Sequence, residues 1–279
     1  MPARPRLSWN PIRFVPSFVA EGRPTIEEWL ALAHDFGLPC VEVYYGFLPS
    51  KEPEAIRQVR RVLDRYELCV SMYTCASDFA HPDPAERERQ LTHMIEEVER
   101  ARVLQAPVVR VTTGCRHEGV PRDQALRWAA EGLTRLAEQT ASSGVRLGLE
   151  NHYQDRLWTA PDVVFHTAEF LELLGMLRDT PLGVNFDCSN QLMTGDDPMR
   201  VLEVVKHRVC HVHASDRQPG RYAHSVIGEG SVQFDPILAC LAGIGYAGCI
   251  SLEDGNPEGD EGTRRAIAFM QRKIEEHWG

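Results

Sequence analysis

The chain has 279 residues, of which 43% are hydrophobic, and a formal net charge of −10 from 40 acidic and 30 basic side chains. This composition provides for a sizeable buried core and is unlike that of a disordered chain. The acidic balance disfavours binding to a phosphate backbone or to an anionic membrane surface, so we expect neither nucleic-acid nor membrane partners.

The N-terminal and cysteine patterns bear on the compartment. The opening run MPARPRLSW has no apolar stretch and no segment reaches the length of a membrane span, so we expect neither a signal peptide nor a transmembrane helix. None of the eight cysteines forms a CxxC pair, and several lie in apolar runs, where a free thiol behaves as a small hydrophobe. We therefore expect a cytoplasmic protein with reduced cysteines, without a disulfide scaffold or a zinc finger.

Capping residues mark where helices begin. Thr25 and Glu28 form a capping-box pair at the start of the first clear helix, which ends near Gly37. Asp83 is followed by Pro84, a pair typical of an N-cap and a first helical position. Apolar side chains repeat every three to four residues after the second cap, which is the pattern of one helix face.

Short apolar runs alternate with these amphipathic segments along the whole chain. The predicted strands are one between residues 6 and 15, then 40–47, 68–74, 107–112, 145–150, 182–187, 209–213 and 249–253. The predicted helices are 25–37, 54–66, one from 83 past 101, one through 126–137, 161–174 with Thr159 as cap, 198–206, one capped by Asp235, and 263–277.

This alternation predicts an α/β protein with a parallel sheet. Eight units in a chain of this length favour a single (β/α)8 TIM barrel, one domain over residues 1–279, rather than an open sheet. The sequence has no GxGxxG or GxxxxGK[ST] run that would indicate a dinucleotide or P-loop site.

Four residues that can ligate metals end the last four predicted strands. They are Glu150, Asp187, His213 and Glu253. The carboxyl ends of barrel strands point at the active site, and a carboxylate there costs several kcal/mol unless a cation or partner offsets it. Three carboxylates and one imidazole therefore predict one divalent metal ion per chain, with Mn²⁺ preferred and Mg²⁺, Co²⁺ or Zn²⁺ as alternatives.

Each residue also has a purely structural alternative. Either glutamate could be ion-paired inside the barrel, Asp187 could cap a loop, and His213 could be a hydrogen-bonded core histidine. His211 lies on the same face as His213, one layer deeper, and we expect it to be structural or to support a ligand. Glu42 could line the pocket or serve as a structural ion-pair partner.

Several runs carry a resemblance to a known family. They are LGLENH, NFDCSN, HVHASD, HSVIGEG, GYAGCISLED, SDFAHPD and APVVRV. From about Glu28 to the C-terminus, the chain resembles the xylose-isomerase-like barrel superfamily of sugar phosphate isomerases and epimerases. The resemblance implies a Glu-Asp-His-Glu metal site on Glu150, Asp187, His213 and Glu253. It also implies that the two glutamates are the proton-transfer pair.

The chain departs from parts of that family. In the ketose epimerases and the DNA-repair branch the aspartate is followed three residues later by a histidine, where this chain has Asn190. The repair branch has an Asp-x-His before its HSxGEG-like run, where this chain has Arg221 and Ala223. A three-zinc site therefore cannot be assembled, and DNA repair is disfavoured.

Aromatic and polar residues in the predicted loops suit the recognition of a sugar ring. We expect the substrate to contact His152, Asn190, Arg217 and His224. Further candidates are Trp9, Tyr44, Tyr73, His81, His117, Trp158 and Arg221. The long loop after the seventh strand could close over a substrate, and the Gly228–Gly230 turn is expected to support it.

These observations predict a metal-dependent isomerase or epimerase of a small polyhydroxy carbonyl compound. The metal would polarise the carbonyl and stabilise an enediolate, and Glu150 or Glu253 would remove the α-proton while the other returns one. A lyase or dehydratase with the same ligands is an alternative, as is a metal-stabilised barrel without turnover. The expected partner is a small-molecule substrate, and self-association into a homo-oligomer stays open.

Overall fold

The computed structural model describes residues 4–154 and 158–279, and its centre is a sheet of eight parallel strands. The strands are β1 (Arg6–Asn10), β2 (Cys40–Tyr44), β3 (Cys69–Thr74), β4 (Val108–Val111), β5 (Arg146–Glu150), β6 (Gly183–Asp187), β7 (Val209–Ala214) and β8 (Cys249–Glu253). Their order around the sheet is β1-β8-β7-β6-β5-β4-β3-β2. Together with the intervening helices they form a TIM barrel, as the sequence predicts.

Helices follow the strands and cover the outside of the barrel. Within the described residues they are α1 (Val15–Glu21), α2 (Ile26–Asp35), α3 (Pro53–Arg65), α4 (Pro84–Val103), α5 (Arg122–Gln139), α6 (Thr167–Met176), α7 (Pro198–Val205), α8 (Phe234–Gly243) and α9 (Gly259–Trp278). The capping box at Thr25 and Glu28 is present, and the side chain of Asp83 accepts a hydrogen bond from the backbone of Ala85. The short helix α1 was not predicted.

The predicted helix start at Pro161 is wrong. Residues 161–165 pair with the loop after β4 instead, since the amide of Val163 donates to the carbonyl of Gly114 and that of Arg116 to the carbonyl of Pro161. The helix α6 begins only at Thr167, not after a Thr159 cap. These inter-loop hydrogen bonds outweigh the local capping signal. At α8 the N-cap is Gln233 rather than Asp235, a shift of two residues.

The barrel is nearly closed. Among the described residues, no backbone ladder joins β1 to β2. Side chains bridge this seam instead: Nδ2 of Asn10 donates to Oε1 of Glu42 on β2 at 2.9 Å. The hydroxyl of Ser8 lies 2.6 Å from that of Ser71 on β3, which in turn donates to the carbonyl of Val41 on β2 at 3.2 Å. The seam is therefore held by buried polar contacts, one of which reaches the candidate site.

The cysteine expectation is wrong at one pair. Cys40 and Cys69 form a disulfide between the first residues of the neighbouring strands β2 and β3. The other six cysteines are free. Within residues 4–154 and 158–279, no helix has both the length and the apolar character that a membrane span requires.

Candidate functional site

The four predicted ligands lie at the carboxyl ends of the last four strands. Glu150, Asp187 and Glu253 are the last residues of β5, β6 and β8, and His213 is the last but one of β7. Parallel strands present these ends at one mouth of the barrel, which is why residues up to 103 positions apart in sequence can converge. Glu150, Asp187 and His213 are fully buried, whereas 12% of the Glu253 side chain is exposed.

One nitrogen of His213 is at the centre of this group. Its Nδ1 lies 3.1 Å from Oε1 of Glu150 and 3.7 Å from Oε1 of Glu253. Ligand atoms of Glu150, Asp187 and His213 all lie within 4.8 Å of one another. Carboxylate oxygens and a single imidazole nitrogen at such spacing fit a divalent cation, so the donor set suits the metal that the sequence predicts.

The other nitrogen of His213 is bound by Glu42. Its Nε2 donates toward the two carboxylate oxygens of Glu42, at 3.0 and 2.9 Å. Nε2 of His211 lies 3.1 Å from the same carboxylate. Burial would raise the pKa of Glu42, but the two histidines outweigh it and hold that pKa well below its usual range. Of the two roles expected for Glu42, lining the pocket or forming a structural ion pair, the contacts thus fit the ion pair. His211 contacts Glu42 beside the site.

Asp187 also caps a loop, which is the structural role expected for it if it did not bind a metal. Its Oδ1 accepts hydrogen bonds from the amides of Ser189 and Asn190 at 2.8 and 2.7 Å, and its Oδ2 accepts one from the Ser215 hydroxyl at 2.7 Å. A carboxylate has about four lone-pair sites, so capping this loop and facing a cation are compatible. Burial, with the charge of Glu150, raises the pKa of Asp187.

The two glutamates have different electrostatic surroundings in the absence of an ion. Nη1 of Arg110 lies 2.8 Å from Oε2 of Glu150. Burial would raise the pKa of Glu150, but Arg110 and His213 outweigh it and lower that pKa. Burial and the charges of Asp187 and Glu150 raise the pKa of Glu253 to about 7. These surroundings therefore favour the charged form of Glu150 and disfavour that of Glu253.

A cavity of about 620 Å³, counting the part that opens to solvent, lies above these carboxylates. It is lined by Asn10, Ile12, Val15, Tyr44, Thr74, Arg110, Glu150, His152, Tyr153, Gln154, Asn190, Arg217, Tyr222, His224 and Glu253. All four residues predicted to bind the substrate are in its wall. Both glutamates of the predicted proton-transfer pair are in the wall as well.

Arg217 is a buried cation of that wall, held by several contacts. The residue is 1% exposed, and its guanidinium donates to the Ser189 hydroxyl at 2.8 Å and approaches Nε2 of His224 at 3.1 Å. Its Cζ lies 4.9 Å from the centre of the Tyr153 ring. Asp216 braces the same loop, because its carboxylate accepts hydrogen bonds from backbone amides of the Gly228–Gly230 turn at 2.9 Å. A Cβ on Gly230 would come within 2.1 Å of that carboxylate, so this turn requires glycine.

Of the other residues predicted at the barrel mouth, some lie at or near the cavity and others do not. Tyr44 lines the cavity, and the Trp158 ring centre lies 5.7 Å from that of His152. Trp9 and Tyr73 were wrongly placed in the mouth: both are fully buried in the core, and the Tyr73 hydroxyl donates to Glu97. Arg221 is exposed on the long loop.

Asp162, a residue that was not predicted to belong to the site, holds the side chain of His152 in place. Nδ1 of His152 lies 3.0 Å from Oδ2 of Asp162, which fixes the imidazole toward the cavity. His81 and His117 pack against each other with ring centres 4.7 Å apart, away from the cavity wall. Sequence reasoning missed Arg110 as a partner of Glu150, although an arginine inside the apolar run VVRV was a usable signal.

Comparison with known sequences is consistent with this geometry. Residues 30–273 match the profile of the xylose isomerase-like TIM barrel family. A rhizopine catabolism protein, MocC, from Rhizobium meliloti is 26% identical over 279 aligned residues, which cover 89% of this chain and 81% of MocC. An uncharacterized protein from Methanocaldococcus jannaschii, MJ1311, is 28% identical over 73% of this chain and 70% of its own length.

An inosose dehydratase of Clostridium botulinum matches a shorter stretch. It is 26% identical over 141 residues, so the alignment spans 44% of this chain and 45% of the dehydratase. Among solved structures, a D-tagatose 3-epimerase-like protein superposes with a TM-score of 0.76 at 21% identity, covering 97% of each chain. The IolI protein, solved with a bound zinc atom, superposes with a TM-score of 0.79 at 15% identity, covering 98% of this chain and 99% of IolI. At these identities the structures establish the shared fold.

Proposed function

The chain belongs to the xylose isomerase-like TIM barrel family, and from this membership we propose that it is a divalent-metal-dependent isomerase or epimerase of a small polyhydroxy carbonyl compound. The observation that supports this function best is the convergence of Glu150, Glu253 and Nδ1 of His213 beside an open cavity. A structural ion-pair cluster would need no such cavity beside it.

We propose that Glu150, Asp187, His213 and Glu253 hold one ion per chain, with Mn²⁺ preferred. Three carboxylates and one imidazole make an oxygen-rich donor set, which suits Mn²⁺, Mg²⁺ or Co²⁺ at least as well as Zn²⁺. When bound, such an ion acts as a Lewis acid toward a carbonyl oxygen and the negative charge that develops on it. A zinc atom is bound in the structurally similar IolI protein, which supports a metal in this fold.

The protein's own groups would move the proton. The Arg110 guanidinium keeps Glu150 ionised, so its carboxylate can accept the substrate's α-proton. Glu253 lies on the neighbouring part of the cavity wall and can return a proton, or the two glutamates can exchange these roles. Hydrogen-bonding groups of His152, Arg217 and His224 would orient the hydroxyls of the substrate.

A dehydratase is the second candidate, because one relative is an inosose dehydratase. It would use the same ion and the same base, and would then expel a β-hydroxyl from the enediolate. A metal-stabilised barrel without turnover is less well supported, since its site would be capped by protein side chains. Here Glu150 and Glu253 both contribute to the wall of a cavity that opens to solvent.

The proposal also covers the partners and the location of the protein. We infer a small-molecule substrate, because the relatives include an inosose dehydratase and a rhizopine catabolism protein. The cytoplasmic location, the lack of nucleic-acid or membrane partners and self-association into a homo-oligomer stay predictions.

The test is reconstitution of the chelator-stripped protein with Mn²⁺, followed by incubation with a panel of ketoses, inososes and keto-glycosides in deuterium oxide. We expect one ion per chain and deuterium at the α-carbon of at least one compound. An epimer or isomer as product supports the first candidate, and an unsaturated or deoxy product supports the dehydratase. Asp187→Ala should lose both the ion and the exchange, whereas Asp64→Ala on the exposed face of α3 should keep both. An ion without exchange on any compound would contradict both enzymatic candidates.

A further inference from the structure

A second group of potential metal ligands lies outside the cavity, in the loops after β3 and β4. Oδ2 of Asp78 is 2.8 Å from Nε2 of His117 and 3.9 Å from Sγ of Cys115. Sγ of Cys115 is 3.5 Å from the same histidine nitrogen. One oxygen, one sulfur and one nitrogen thus lie within 4.8 Å of one another, and none of the three residues lines the cavity.

The two loops hold these side chains in a fixed arrangement. The amide of Asp78 donates to Oε1 of Gln90 at 3.2 Å. Gly114 has a φ of +121°, and a Cβ there would come within 2.2 Å of Oδ1 of Asp78, so a glycine is required for this close approach. Cys115 is fixed by an isolated antiparallel bridge to Asp162.

The charge of Asp78 is offset in the protein by His117 and, more weakly, by His81 and the amide of Ala80. Its Oδ1 is buried and, within the described part of the chain, forms no hydrogen bond of normal geometry. Among the described residues, its carboxylate forms an ion pair with His117 but with no lysine or arginine. The exposed cluster of Asp235 and Glu276 differs, because Nζ of Lys273 lies within 2.8 Å of both carboxylates.

Burial raises the pKa of Asp78 and raises that of the Cys115 thiol to about 11. Without a cation the thiol therefore stays protonated and is a poor nucleophile at neutral pH. A bound divalent ion reverses this preference, because a ligating thiol is deprotonated by the metal.

We propose that Asp78, Cys115 and His117 form a second divalent-metal site, separate from the barrel centre and suited to Zn²⁺. A thiolate, an imidazole and a carboxylate are the ligand types of zinc, and three protein ligands leave a fourth position for water. Binding replaces the thiol proton, which is released to solvent. The ion would fasten the loop after β4, whose backbone also pairs with Asp162, the residue that orients His152.

Cobalt substitution tests this site without an activity assay, because only a sulfur ligand gives a near-ultraviolet sulfur-to-Co²⁺ charge-transfer band. The predicted ligands of the barrel centre include no cysteine, so that centre contributes none. We expect the reduced, metal-stripped protein to develop the band with Co²⁺, and Zn²⁺ titration to reach about two ions per chain while Mn²⁺ reaches about one. Cys115→Ser should lose the band and one zinc equivalent, while Cys240→Ser, at another free cysteine, should keep both.

His117→Gln provides a second variant, with folding checked by circular dichroism, and should weaken zinc binding at this site at least tenfold. The proposal is overturned if the wild-type protein shows no sulfur band, or if the band persists in Cys115→Ser. The result is independent of the barrel centre: if Asp187→Ala keeps the sulfur band and loses the other Co²⁺ signal, the second site stands alone. A sulfur band that depends on Asp187 would also contradict two separate sites.

Discussion

Both carboxylate oxygens of Glu42, on β2, lie within 3.0 Å of Nε2 of His213, on β7. The contact spans the interior of the barrel and leaves Nδ1 of His213 facing Glu150 and Glu253. Metal-ligating histidines commonly donate their second ring N–H to a carboxylate, which fixes the tautomer and the orientation of the ring. Glu42 is therefore positioned to orient the imidazole of His213, the proposed histidine ligand.

The first prediction concerns the contact between Glu42 and His213. Glu42→Gln keeps the shape of the side chain but removes its charge, so Nε2 of His213 loses a charge-assisted acceptor. We expect the affinity for Mn²⁺ to fall about 10- to 100-fold, which is the usual effect of removing such a partner. Competition with a chromogenic chelator measures it. Unchanged affinity in a folded variant would show that the His213 ring is oriented by its packing alone.

A matched control is available at Glu97, another fully buried carboxylate, on α4. It lies outside the site and is bound by Nζ of Lys51 at 2.6 Å and by the Tyr73 hydroxyl at 2.7 Å. Glu97→Gln should therefore leave the affinity for Mn²⁺ unchanged. A similar loss of affinity in both variants would assign the Glu42 effect to general destabilisation.

Glu97 also carries a prediction on pH. Burial would raise the pKa of Glu97, but Lys51 and Tyr73 outweigh it and hold that pKa below its ordinary value of 4.5. A depressed folded-state pKa adds stability above the unfolded pKa, and this stability is lost as the pH falls through the folded pKa. Glu97→Gln should thus cost about 1–3 kcal/mol at pH 7. The difference from wild type should shrink below pH 4.5. Urea unfolding over a pH series measures both, and a pH-independent difference would contradict the assignment.

The strand ends were the part of the site that the sequence could predict. Strict alternation of strands and helices defines which residue ends each strand, and the geometry of parallel barrels brings those ends together. Glu42 and Arg110 were harder, because their partners depend on which strands face each other across the interior. Glu42 and His213 are 171 positions apart, and no local pattern relates them.

The errors at Trp9 and Tyr73 have a related cause. Barrel strands are buried on both faces, so their apolar runs do not tell which side chains point inward, outward or toward the mouth. The helix start at Pro161 failed for another reason, since hydrogen bonds to the Gly114 region replaced the local helical preference. Tertiary contacts decided each of these positions.

The next prediction is that the protein does not cleave abasic DNA. Asn190, Arg221 and Ala223 occupy positions where the resemblance requires ligands for further zinc ions, and the net charge of −10 opposes DNA binding. In the structure Asn190 instead directs its amide toward Glu150, at 3.5 Å. An abasic duplex should remain intact beside a known endonuclease as positive control. Cleavage that disappears in Glu150→Gln would contradict this prediction.

The last prediction separates the roles of the two glutamates in the proposed reaction. Glu150→Gln and Glu253→Gln each keep the side-chain volume and one oxygen donor while removing the base. Each variant should hold Mn²⁺ at raised concentration and lose about 10²–10⁴-fold in kcat, the usual contribution of a general acid or base. Glu97→Gln, a carboxylate outside the cavity, should keep its turnover.

Half-reactions then identify which glutamate acts first. A variant that still exchanges the substrate's α-proton with deuterium, but makes no product, has lost only the second proton transfer. Because the Arg110 guanidinium stabilises the charge of Glu150, whereas burial and the neighbouring carboxylates disfavour that of Glu253, we expect Glu253→Gln to retain exchange and Glu150→Gln to lose it. The reverse pattern would exchange the two roles. Full turnover in both variants, once the ion is restored, would make the glutamates ligands only. The base would then be sought at His224, whose imidazole lies in the cavity wall beside Arg217.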